Sequence, residues 1–206
     1  MKQKKLSIRN MAMIGMLSAI SLILMFLDFS VPVMPSFIKL DLSDLPALIG
    51  SFAMGPLEGV LICLLKNLLH LMRTTTGGVG ELSNFILGAS FVLIAGLVYK
   101  FKKGRKSALI GSIAGALVMA VISVISNYFL VYPFYTNFMP MEAIIGAYQA
   151  INPNVDSLLE ALICFNMPFT FVKGMLSVLI TFLVYKRISP IIKGNQQNEK
   201  AVLKKS

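Results

Sequence analysis

The chemically most consequential residue of this 206-residue chain is a lysine in an apolar setting. Lys173 is the sole charge between Ala161 and Tyr185. A lysine at the middle of a membrane-length helix costs about 2.5–3.5 kcal/mol by insertion measurements, so it must face a cavity, pair with a carboxylate, or both. An ammonium turned toward a ligand is the favoured reading, and a structural ion pair is its alternative. Pro168, five residues earlier, leaves the carbonyl of Cys164 without its helical donor and opens the backbone at the same depth. Asn166 and Thr170 add polar groups there. Thr170 and Lys173, three apart, share a helix face, with Asn166 on a neighbouring stripe.

Other polar residues sit in similar surroundings. Asn127 and Tyr128 fall late in the uncharged stretch Ser107–Met141, and Asn84 falls early in Leu82–Tyr99. An amide in hydrocarbon needs partners for both its donors and its acceptor. Each asparagine therefore either ties two helices together or faces a ligand, and the shared depth of Asn84, Asn127 and Thr170 favours the ligand. His70, the lone histidine, reads as a contact within the bundle rather than a proton relay. Cys63 and Cys164 read as buried, inert thiols. The chain has no Walker A sequence, no spacing that suggests a Ser-His-Asp arrangement and no metal-ligand cluster. It thus has no ATPase of its own, and an enzyme acting on a lipid would have only Glu58, Glu81, Glu160 and His70 to work with.

The elements that must hold these residues are membrane helices. The chain is 56% hydrophobic and 14% charged, with mean hydropathy +0.78, whereas a soluble domain has roughly a quarter charged residues. The net charge of +10 would suggest nucleic acid in a soluble protein. Here the cations lie between and beyond apolar runs, which points to topology and anionic membrane lipid, with no nucleic acid. Lys2, Lys4, Lys5 and Arg9 precede an apolar run that reaches Leu27 with no cleavage signal, so that run is expected to be a retained helix. Leu45–Met72 reads either as one kinked helix or as two short ones turning at Gly55-Pro56. The positive-inside rule chooses two, because one helix would carry the cluster Lys100, Lys102, Lys103, Arg105, Lys106 across the membrane.

The expected fold is all-α, with six transmembrane helices and both termini cytoplasmic. All Lys and Arg except Lys39, Lys66, Arg73 and Lys173 then lie inside. Residues 1–194 form one domain, followed by a polar, disordered tail at 195–206. Pro133 is expected to end the fifth span. The long connections 28–43 and 134–157 either lie over a site as lids or merely connect. Gly15-xxx-Ala19, Gly55-xxx-Gly59 and Gly111-xxx-Gly115 allow close helix contacts.

The segments FIKLDLSDLPALIGSFAMGPLEG (37–59), LLKNLL (64–69), NFILGASF (84–91), NYF (127–129) and PFTFVKG (168–174) resemble riboflavin-specific S components of energy-coupling factor (ECF) transporters, over about residues 8–190. The resemblance implies a six-helix bundle that captures the vitamin near the outer face, beneath the loop joining the first two helices. It also implies docking through Gly15 and Ala19 onto a transmembrane coupling subunit driven by two ATPase subunits. Asn127 and Lys173 match polar contacts to the flavin, and Thr170 stands where the family pattern leads one to expect an asparagine. Leu40, Leu45, Ala47 and Tyr128 would wall the ring, an asparagine would read its N–H and carbonyl edge, and Lys173 and Thr170 would bond the ribityl hydroxyls. Asp44 and Asn84 complete the expected ligand-binding set. No catalysis and no cofactor are implied, because riboflavin is cargo, with FMN left open. The alternatives are an S component for another vitamin and a small membrane enzyme.

Overall fold

Every apolar run of the sequence is helical in the computed structural model of the protein, which describes residues 8–184 other than Ser36 and Thr75. The tail 195–206 and the basic residues Lys2, Lys4 and Lys5 lie outside the described residues. The first helix, α1 (Ile8–Phe26), buries only Ile14, Ser18, Ser21 and Met25. That spacing is a single narrow stripe, so most of the helix is left for lipid or a partner. A short ribbon follows, β1 (Phe29–Ser30) and β2 (Lys39–Leu40), antiparallel with Phe29 opposite Leu40 and Ser30 opposite Lys39.

Helices α2 (Asp44–Ala53) and α3 (Pro56–His70) are separate. Gly55 between them has φ 148°, a conformation L side chains rarely adopt, and Pro56 occupies the first turn of α3. The pair GP therefore breaks the chain where charge placement requires a break. Helix α2 is buried along all of Asp44–Phe52. It is short because it sits inside protein, against α1, α3 and α4.

Helix α4 (Val79–Phe101) packs along α5 (Arg105–Tyr135). A Cβ on Gly115 would stand 2.6 Å from the carbonyl oxygen of Phe91, and one on Gly111 would stand 2.8 Å from that of Ala95. The Gly111-xxx-Gly115 motif is thus used within the bundle, to bring two backbones together. Gly59 serves α2 and α3 in the same way, with a Cβ there falling 2.7 Å from Ser51 Cβ.

The fifth helix does not stop at Pro133 as expected. It widens into a π turn at Asn127–Val131, closed by Tyr132 N–H donating to Asn127 O, and runs on to Tyr135. The last helix, α7 (Leu158–Val184), repeats the device. Its π turn spans Leu162–Asn166 and is closed by Met167 N–H donating to Leu162 O, one residue before Pro168. A proline ring clashes with the carbonyl four residues earlier, and an extra residue in that turn relieves the clash without ending the helix. Connection 134–157 also differs from expectation, since it contains α6 (Met141–Gln149). Among the described residues, four helices are long and apolar enough to cross a membrane: α1, α4, α5 and α7.

Two apolar clusters result. The larger joins Leu48, Ile62, Phe91, Ala116, Met119 and Val178 in the bundle. The smaller joins Tyr132, Ile144, Tyr148, Val155 and Leu162 at the end away from Lys100–Lys106, with Phe37 and Ile38 of the ribbon connection packed on it. Of the cysteines, Cys63 is buried as expected, whereas Cys164 is exposed on the outer surface of α7.

Candidate ligand-binding site

A cavity of about 190 Å³ lies between the two clusters. Four of the sequence-predicted residues line it: Asn84 from α4, Asn127 from α5, and Thr170 and Lys173 from α7. The remaining wall comes from residues not singled out as ligand contacts, chiefly Phe37, Ile38, Tyr132, Tyr135, Asn166 and Phe169. Connection 28–43 supplies Phe37, Ile38 and Lys39, so it forms part of the roof.

The other predicted residues stand elsewhere. Leu40, at the end of β2, is buried away from the cavity wall, and so are Asp44, Leu45 and Ala47, because α2 is enclosed by other helices. Tyr128 is 38% exposed and meets Phe129 edge-on at 5.0 Å. One residue along a helix turns about 100°, so with Asn127 on the cavity its neighbour faces outward.

Lys173 is both paired and cavity-facing. Its Nζ donates to Asp41 Oδ2 at 2.8 Å, across 132 positions of sequence. Asp41 Oδ1 accepts from the backbone N–H of Ser43 at 2.8 Å. Burial pushes the Asp41 carboxyl pKa upward, but the charges of Lys173 and Lys66 and the hydrogen bonds outweigh it and hold the group well below the usual carboxylate range. A second buried pair lies behind the first. Lys66 Nζ donates to Asp44 Oδ1 and to Ser43 Oγ, each at 2.6 Å. The end of the ribbon and the start of α2 are thereby clamped between α3 and α7.

The amides complete the polar wall. Asn84 Oδ1 is buried with no hydrogen-bond partner, an orphan acceptor beside a cavity and so a group poised for a ligand donor. Asn166 Oδ1 accepts from Tyr148 Oη at 2.7 Å, and the Tyr148 hydroxyl is also hydrogen-bonded to that of Tyr132. Burial, then the neighbouring Tyr132, pushes the Tyr148 pKa far above the ordinary tyrosine value, so that hydroxyl keeps its proton. His70 Nδ1 meets Glu81 Oε1 at 2.9 Å, while Thr74 and Thr76 donate to Glu81 Oε2. His70 is thus a bundle contact, and its partner organises the turn before α4.

Such a cavity suits binding. Aromatic rings offer flat apolar walls, and amides and one ammonium fix the orientation of a ligand. No group of three or more His, Cys, Asp or Glu that would hold a metal occurs among the described residues. Fold and site together define an integral membrane protein that holds a small molecule among its helices.

The chain belongs to the family described as ECF transporter, substrate-specific component, which it matches over residues 9–185. It is 33% identical over 185 residues to the riboflavin transporter RibU of Staphylococcus aureus, covering 90% of this chain and 93% of that protein. It is 29% identical to the riboflavin transporter FmnP of Bacillus subtilis, covering 91% and 95%. A solved structure described as the S component of a bacterial ECF transporter superposes with a TM-score of 0.72 at 33% identity, covering 90% of this chain and 98% of that one. Membership of this transport family sets aside the enzyme reading.

Proposed function

We propose that this chain is the riboflavin-capturing subunit of an ECF importer. The observation that carries the reading is the convergence of Asn84, Asn127, Thr170 and Lys173 on one aromatic-walled cavity, in a chain similar to proteins named riboflavin transporters. An isoalloxazine ring is flat and apolar on both faces, with carbonyls and an N–H along one edge. Phe37, Tyr132, Tyr135 and Phe169 supply faces for the ring, and the asparagines supply both donors and acceptors for the edge. Lys173 spends one ammonium hydrogen on Asp41 and keeps two for the hydroxyls of the ribityl chain. Apolar burial supplies most of the affinity, and the polar groups choose among vitamins.

In this reading six helices span the membrane, α2 being a short span enclosed by its neighbours and α3 a short span with one face exposed. Both termini share the cytoplasmic side with Lys100–Lys106, and the cavity opens outward. Gly15 and Ala19 lie on the exposed face of α1, and a Cβ added at Gly15 would meet nothing within 4 Å. That smooth strip receives the coupling subunit, which two ATPase subunits drive.

Protein purified from a riboflavin-containing host is expected to be yellow and to release flavin on denaturation. Colourless protein that leaves the fluorescence of added riboflavin unquenched would sink the reading, and titration with FMN would show whether the phosphorylated form is also held. Ala19→Leu should leave flavin binding intact and block uptake in cells with the full transporter. Loss of binding in that variant would show that α1 serves the cavity rather than a partner.

A further inference from the structure

Among the described residues, Asn166 is the one cavity amide whose orientation the protein fixes. Its Oδ1 accepts from Tyr148 Oη at 2.7 Å, and it is buried at 6% exposure. Tyr148 has a single hydroxyl hydrogen and gives it to Asn166, so the contact between the Tyr132 and Tyr148 hydroxyls is one in which Tyr132 donates. The oxygen of Asn166 is therefore committed, and its Nδ2 group is the donor side, with one hydrogen in reach of the Tyr132 oxygen and the other left for the cavity. Tyr148 is held in turn. It is fully buried, it packs edge-on against Phe37 at 6.2 Å and beside Phe165 at 5.6 Å, and Gln149 ties the end of α6 to Val155 O at 2.9 Å. Asn84 presents the opposite polarity, an acceptor oxygen with no partner.

From this geometry we infer that Asn166 is a specificity-determining residue that donates from Nδ2 to a ligand carbonyl, with Tyr148 of α6 as the positioning residue that keeps the amide that way round. Without the Tyr148 hydroxyl the amide is free to turn, and a donor to the ligand becomes an acceptor facing another acceptor. The inference rests on riboflavin being the cargo and adds which residues read its carbonyl edge. It also gives α6 a role, since a helix in a connecting segment sets the polarity of a side chain on α7.

The test uses the full chain in detergent and compares riboflavin with its 2-thio and 4-thio analogues, whose sulfur is a poor hydrogen-bond acceptor. In the wild-type protein one of the two analogues should bind about tenfold more weakly than riboflavin, the worth of one hydrogen bond. In Tyr148→Phe, which keeps the ring and its packing, riboflavin should weaken by a similar factor and the penalty for that analogue should vanish. A merely structural Tyr148 would weaken all three ligands alike and leave the penalty in place, and that result would overturn the inference. Should Tyr148→Phe fail to fold, Asn166→Ala tests the donor itself, with loss of the penalty expected and its persistence overturning the inference. Wild-type protein that binds none of the three would sink the riboflavin reading and this inference with it. Wild-type protein that binds riboflavin and both analogues equally would overturn this inference alone.

Discussion

Two buried lysine–aspartate pairs, whose aspartates stand close together in the sequence, do different work in this protein. Lys66 with Asp44 is sealed, the side chains being 0% and 2% exposed. Lys173 with Asp41 is 11% and 8% exposed and borders the cavity. Lys66 makes two hydrogen bonds within the protein, to Asp44 and Ser43, and Lys173 makes one, to Asp41. What distinguishes them is how many ammonium hydrogens are left over. The sealed pair, with one hydrogen left over and no cavity beside it, locks α2 to α3, and the pair at the cavity, with two left over, holds a roof segment while offering donors to a guest.

The largest effect is expected at the sealed pair. Lys66→Ala strands Asp44 in the interior, and removing one partner of a buried pair costs about 3–5 kcal/mol. Thermal unfolding should show a severe loss of stability, and a variant as stable as wild type would break the contrast. Lys173→Ala also strands its partner, Asp41, but beside a cavity rather than in a sealed interior. It should therefore cost less stability than Lys66→Ala while weakening riboflavin by about tenfold to a hundredfold, as expected for losing hydrogen bonds to a charged donor. If its dominant effect were on stability instead, the two pairs would be alike. Asn127→Ala should weaken binding by about tenfold with little change in unfolding, checked by quenching titration beside a thermal scan.

The smallest effect is that of pH. The folded-state pKa of Asp41 is depressed, so its stabilising contribution is fully present above the ordinary value of 3.8. It fades only as pH falls from there toward the folded-state value. Unfolding midpoints should therefore carry no signature of this pair between pH 5 and 8. A midpoint that falls steadily across that range in wild type and stays flat in Asp41→Asn would show that the pair is not held as described.

The sequence showed the polar wall better than the roof. Lys173, Thr170, Asn84 and Asn127 stand out because polar groups in long apolar runs are costly, and all four meet at the cavity. The partner of Lys173 was hidden, because Asp41 lies in a loop 132 positions away and no local pattern links the two. Leu45 and Ala47 mark an important segment but not its orientation, since a helix buried all round shows no polar face to read, and Leu40 lies before it at the end of β2. Tyr128 stands one position from Asn127, whereas the residues that return to the cavity are Val131, Tyr132 and Tyr135. Helix α6 has only nine residues and no side-chain cap, so it read as connection. Asn166 carried a signal that was visible, an amide one turn before Thr170 and two residues before Pro168.

The division of the apolar interior into two clusters has a mechanical consequence. The bundle cluster and the roof cluster share no buried residue among those described, and the π turns at Asn127–Val131 and Leu162–Asn166 sit near the seam between them. A molecule divided in this way is expected to open in two steps, roof before bundle. Amides of the ribbon connection and α6 should then exchange with solvent sooner than those of α2 and α3. A guest in the seam touches both clusters, and it would act as the mortar that makes them exchange as one.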